Sequence, residues 1–76
     1  MMNEDTLNKI YNAVDEYLCN IPQEEQDALE CPTHAGEEAF EFLYANGVEA
    51  TDEAVEAVMG YIMDSVAKTN AEWHAA

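Results

Sequence analysis

From Ile10 to Ala67 this chain contains no lysine or arginine, yet the same interval holds fourteen aspartates and glutamates. Any fold it adopts must keep those carboxylates in water, because a buried charge without a partner costs more than a small domain can offset. Self-repulsion among them also opposes compaction. Apolar and acidic residues must therefore be strictly segregated, and the spacing of the apolar ones decides the fold.

That spacing is helical throughout. Leu7, Ile10, Tyr11, Val14, Leu18 and Ile21 recur at three- and four-residue steps, which predicts an amphipathic helix stopped by Pro22. Asn3 is its expected N-cap, with Glu4 and Asp5 in the first turn where the helix dipole favours negative charge. Pro22 opens a short polar helix from Gln23 to Glu30, ended by the Cys31-Pro32 step. Thr33 is the next expected cap, followed by a stripe of Ala35, Ala39, Phe40, Leu43 and Tyr44 and a stop at Asn46-Gly47. Thr51 caps a fourth helix whose stripe is Val55, Val58, Met59, Ile62, Met63 and Val66. Thr69-Asn70-Ala71-Glu72 has the capping-box pattern, which puts Trp73 either on a separate turn or on a continuation of helix four. No alternating β-branched run occurs. The expected fold is all-α, a compact bundle of three main helices plus one short helix in a single domain, residues 1–76.

Hydrophobic residues make up 49% of the 76, which separates this chain from acidic disordered tails and predicts a packed core. Two cysteines, Cys19 and Cys31, with no signal peptide, predict free thiols in a reducing cytosol. No apolar run approaches the ~20 residues a membrane span needs.

The acids fall off the apolar stripes. Glu24, Glu25, Asp27 and Glu30 crowd the short helix, Glu37, Glu38 and Glu41 lie on the third, and Asp52, Glu53 and Glu56 on the fourth. Solvated helices ordinarily interleave lysine with glutamate at four-residue steps, whereas here Glu37 faces Glu41 and Asp52 faces Glu56. Duplex DNA carries about one charge per 1.7 Å of axis. Helical carboxylates on two or three faces approach that order of density, so a protein that grips phosphates with lysine and arginine would meet a similar field. In size, helical content and the acid-only stretch from Asp15 to Asp64, the chain resembles the small acidic inhibitors that phages and mobile elements deploy against restriction or CRISPR machinery. That resemblance implies an anti-restriction or anti-CRISPR DNA mimic, and the ten acids just named are the expected partner-binding residues.

Other patterns are weaker. Asp64-Ser65-Val66 is similar to the Asp-Ser-Leu of acyl carrier proteins, but there the serine opens a helix near mid-chain, whereas Ser65 lies late inside helix four. Cys31 and His34 have the spacing of two zinc ligands, with only Cys19 and His74 left as further nitrogen or sulfur donors. No EF-hand loop is present. No nucleophile stands at a recognisable spacing from His34 or His74. The expectation is a non-enzymatic protein with no metal or cofactor. It would bind no nucleic acid itself, but a basic nucleic-acid-binding protein, as a monomer or weak homodimer. The alternative is an acidic adaptor or immunity-type protein that holds one basic partner through aromatic anchors, for which Tyr17, Tyr61 and Trp73 are the candidates. A halophile surface or a plain solvated one are the remaining readings of the acids.

Overall fold

Asn3 is extended, and its side-chain oxygen accepts the Thr6 amide at 2.8 Å, which starts α1, Glu4–Asn20. In the computed structural model, which describes the backbone of residues 3–75 and the side chains of residues 3–70, α1 is followed by α2, Gln23–Ala28, α3, Pro32–Ala45, and α4, Asp52–Ala75. No strand occurs among the described residues. The architecture is the all-α bundle of three main helices and one short one that the periodicity predicts.

Local chemistry sets most of the boundaries. The Thr51 hydroxyl accepts the Ala54 amide at 3.2 Å and caps α4. At the end of α3, Gly47 takes a positive φ of 68°, and the Val48 and Gly47 amides donate to the carbonyls of Leu43 and Tyr44 at 2.9 and 3.0 Å. This paired closure needs a left-handed residue, which glycine supplies without a Cβ penalty. Two boundaries differ from expectation. The cap of α3 is Cys31 and not Thr33, because Pro32 occupies the first helical position, where its missing N–H costs nothing. The short helix ends at Ala28, with Leu29 and Glu30 in the turn beyond it. Of the two readings of the capping-box pattern the continuation holds: α4 runs through it to Ala75, and the Thr69 hydroxyl donates back to the Ser65 carbonyl at 3.0 Å instead of capping a new turn.

The core lies between α1, α3 and α4, and α3 with α4 forms the most extensive helix pair. Ile10, Val14 and Leu18 enter it from α1, Ala35, Ala39 and Leu43 from α3, and Ala54, Val58, Ile62 and Val66 from α4. The inner face of α3 is narrow because two of its three buried residues are alanines. One correction follows from this. Phe40 and Tyr44 belong to the predicted stripe of that helix, yet they are 52% and 87% exposed. The Ala35-Ala39-Leu43 row is the one that faces α4, and Phe40 and Tyr44 stand outside it.

Helix α2 is held differently. None of its own residues is buried, and the apolar anchor is Leu29, just past its end and 5% exposed. Polar side chains complete the attachment. The Gln26 side-chain nitrogen donates to the Leu18 carbonyl at 2.8 Å, while the side-chain amide oxygen of Gln26 is buried without a partner. Gln23 donates to the side-chain oxygen of Asn70, and Asn70 donates to Glu30. Asn70, 8% exposed, is the buried polar residue of the described core.

Candidate functional site: acidic faces around an outward aromatic pair

The ten predicted acids all reach the surface, and nine of them, Glu24, Glu25, Asp27, Glu30, Glu37, Glu41, Asp52, Glu53 and Glu56, are exposed. Glu38 is half-buried. Lys9 and Lys68 are also exposed and lie outside the acidic interval at either end. The carboxylates therefore face solvent from three helices with no lysine or arginine among them.

Some of them come together across helices. Burial raises the pKa of the Glu38 carboxyl, and the charges of Glu41, Glu25 and Glu37 raise it further. Burial also raises the Tyr17 hydroxyl, together with Glu38, Glu25 and Glu41. Acids from α2 and α3 thus converge around Tyr17, which belongs to α1. Asp52 and Glu53 sit instead in the first turn of α4. Glu53, with Glu49 of the preceding loop, lines a groove with Asn3, Thr6 and Leu7 at the α1 start. Two predicted acids also have work inside the molecule, since Glu30 accepts from Asn70 and Asp27 accepts from Gln23 at 3.1 Å.

The predicted aromatic anchors are placed less favourably for a partner. Tyr17 and Tyr61 are half-buried. Tyr17 packs edge-on against Phe42, with ring centroids 5.6 Å apart and planes at 75°. Tyr61 stacks on Tyr11 at 4.0 Å and 12°, and its hydroxyl donates to Asp15 at 2.8 Å. That hydrogen bond is the main cause of its raised pKa, with burial and the Asp15 charge adding to it. These pairs join α1 to α3 and to α4. The Trp73 side chain, like that of His74, lies outside the described residues.

Sequence periodicity missed the exposed aromatics. Glu37, Phe40, Glu41 and Tyr44 follow one another at three, one and three residues, which is a helical stripe of its own, opposite the buried alanines. Its mixed acid-and-aromatic content was the available signal. Phe40, Glu41 and Tyr44 continue into a shallow depression completed by Val48, Glu49 and Ala50 of the α3–α4 loop.

The remaining candidates are isolated. Both cysteines are free and exposed. The amides of Thr33 and then His34 face the Cys31 sulfur and hold its thiol below the usual cysteine value, although the sulfur completes no capping hydrogen bond. Among the described residues, no group of three or more histidine, cysteine or acidic side chains is placed to hold a metal ion, and no helix is long and apolar enough to cross a membrane. Ser65 is half-buried in the middle of α4, away from any helix start.

No protein family, curated protein or solved structure matches the chain.

Proposed function

We propose that this protein is a non-enzymatic inhibitor that imitates the charge of a nucleic acid and occupies the basic binding surface of a nucleic-acid-binding protein. An anti-restriction or anti-CRISPR protein of a phage in a bacterial cytoplasm is the setting that such chemistry fits. The observation that carries the reading is the combination of exposed carboxylates on α2, α3 and α4, the absence of any lysine or arginine from residue 10 to 67, and a packed helical core that holds them in place.

The physical case rests on what the charge costs. Exposed acids without cationic neighbours repel one another, and the half-buried Glu38 carboxyl is raised first by burial and then by the charges of Glu41, Glu25 and Glu37. Lysines interleaved at four-residue steps would relieve that repulsion at no cost to the core. A basic groove relieves it too, and gains steered association in return. Each contact is modest and their sum is large, as for phosphates on a lysine-rich surface.

The test is capture from a bacterial lysate on the immobilised protein at low salt, followed by elution with duplex DNA. The expected result is a basic nucleic-acid-binding protein released by DNA and by salt. A captured protein that DNA fails to displace contradicts the reading. A variant with Glu24, Glu25, Asp27, Glu37 and Glu41 changed to glutamine should lose that capture while keeping its helical circular dichroism.

A further inference from the structure

The outward face of α3 is not purely acidic. Tyr44, 87% exposed, and Phe40, 52% exposed, stand side by side on it, and with Val48 and Ala50 they give the depression at the α3–α4 corner an apolar floor. Glu41 and Glu49 line the same depression, and Glu37 lies one turn before Phe40 and Glu41 on the same stripe. Apolar area is thus rimmed by negative charge. The core needs neither ring: Ala35, Ala39 and Leu43 face α4 from the other side of the helix and are fully buried. Tyrosine and phenylalanine left in water at the centre of an acidic rim are the composition of an interface anchor and not of a solvated surface.

We infer that this depression receives a basic amphipathic helix of a partner protein, whose aliphatic side chains seat on Phe40, Tyr44 and Val48 while its lysines or arginines reach Glu37, Glu41 and Glu49. Area and charge select that occupant over a second copy of this chain. Two aromatic side chains supply at most about 300–500 Å² of the roughly 800 Å² each partner contributes to a stable interface. The remainder must come from the surrounding surface, which is acidic. A second copy, itself at a formal charge of −15, would bring carboxylates against carboxylates there. A basic helix meets both requirements, and an apolar groove receiving one helix face is an established mode of peptide recognition. The inference rests on the proposed reading only in taking the partner to be basic, and it adds an apolar contact that a phosphate mimic does not need.

The test uses two synthetic peptides titrated into the full-length protein labelled with ¹⁵N. One is an amphipathic helix of leucine and lysine, and the other has the same charge with serine replacing leucine. The leucine peptide should bind about tenfold more tightly or better, with amide shifts centred on Phe40, Tyr44 and Val48. The double variant Phe40→Ala/Tyr44→Ala should bind both peptides equally while still melting cooperatively, within about 8 °C of the parent. Equal affinity of the parent protein for both peptides overturns the inference, as does a leucine preference that survives the double variant. A dimer in sedimentation that the double variant abolishes would also overturn it, by naming a second copy as the occupant. If the serine peptide binds with steep salt dependence and the leucine peptide does no better, the charge-based function stands and this inference alone fails.

Discussion

Helices α2 and α3 carry similar acidic loads, but they are fastened to the molecule by opposite means. Helix α3 presents Ala35, Ala39 and Leu43 to α4 with no exposure, so its acids ride on a packed apolar seam. Helix α2 buries none of its residues and is tied down by Leu29 next to it and by the side chains of Gln23, Gln26, Glu30 and Asn70. A close-packed seam does not depend on pH or salt in the way a polar network does. The lesson is that equal charge on two helices does not mean equal rigidity. The α3 acids are presented on a fixed platform, and the α2 acids on one that hydrogen bonds hold.

The sharpest way to break that comparison is to cut into the seam. Leu43→Ala should cost about 2–5 kcal/mol, because it opens a cavity where α3 meets α4. Chemical denaturation reads this directly, and a loss well under 1 kcal/mol would mean that the seam does not anchor α3. Next in size is the polar tether. Asn70→Ala removes the hydrogen bonds to Gln23 and Glu30 and should cost about 1–2 kcal/mol. Hydrogen exchange should then quicken across Gln23–Ala28 and stay unchanged across Phe40–Leu43. Uniform acceleration of both helices would contradict the distinction drawn here.

How much of this was legible depends on how local each cause is. The caps Asn3 and Thr51, the stop at Gly47 and the break at Pro22 act through backbone groups a few residues away, so the residue type announces them. The misplacement of Phe40 and Tyr44 has a different origin. Three- and four-residue spacing admits two rows on α3, one through Ala35, Ala39 and Leu43 and one through Phe40 and Tyr44. Hydrophobicity alone favours the aromatic row. Close approach to α4 selects the alanines, and that choice depends on a partner helix remote in the chain. The same holds for Tyr17 and Tyr61, whose ring partners Phe42 and Tyr11 lie on other helices, and for the link from Asn70 to Glu30. The acids were legible as surface because no alternative existed for them. The convergence of Glu38, Glu25 and Glu41 on Tyr17 was not.

Two smaller effects sharpen the contrast at the junction of α2 and α3. The Glu38 carboxyl titrates above the ordinary glutamate range because of burial and then of Glu41, Glu25 and Glu37. Its folded pKa exceeds its unfolded one, so its contribution to stability is complete below the unfolded value and is lost as pH rises through the folded value. Glu38→Gln should remove that component. Parent and variant melting temperatures, compared from neutral pH downward, should then change differently, with the parent gaining more as Glu38 takes up its proton. Parallel curves would show that neither burial nor these neighbouring charges raise Glu38. The smallest effect belongs to the outer face of α3. Phe40→Ala/Tyr44→Ala should shift stability by no more than about 0.5 kcal/mol per site, because both side chains lie outside the core. A loss comparable to that of Leu43→Ala would place them in it.

The claim that the acids exist for a basic partner is tested most directly by the salt dependence of affinity for the protein captured from lysate, measured by titration calorimetry. The account predicts an affinity that falls at least about tenfold between roughly 50 and 200 mM salt, with a slope made shallower by changing Glu24, Glu25, Asp27, Glu37 and Glu41 to glutamine. An affinity that stays constant across that range, in parent and variant alike, would contradict it.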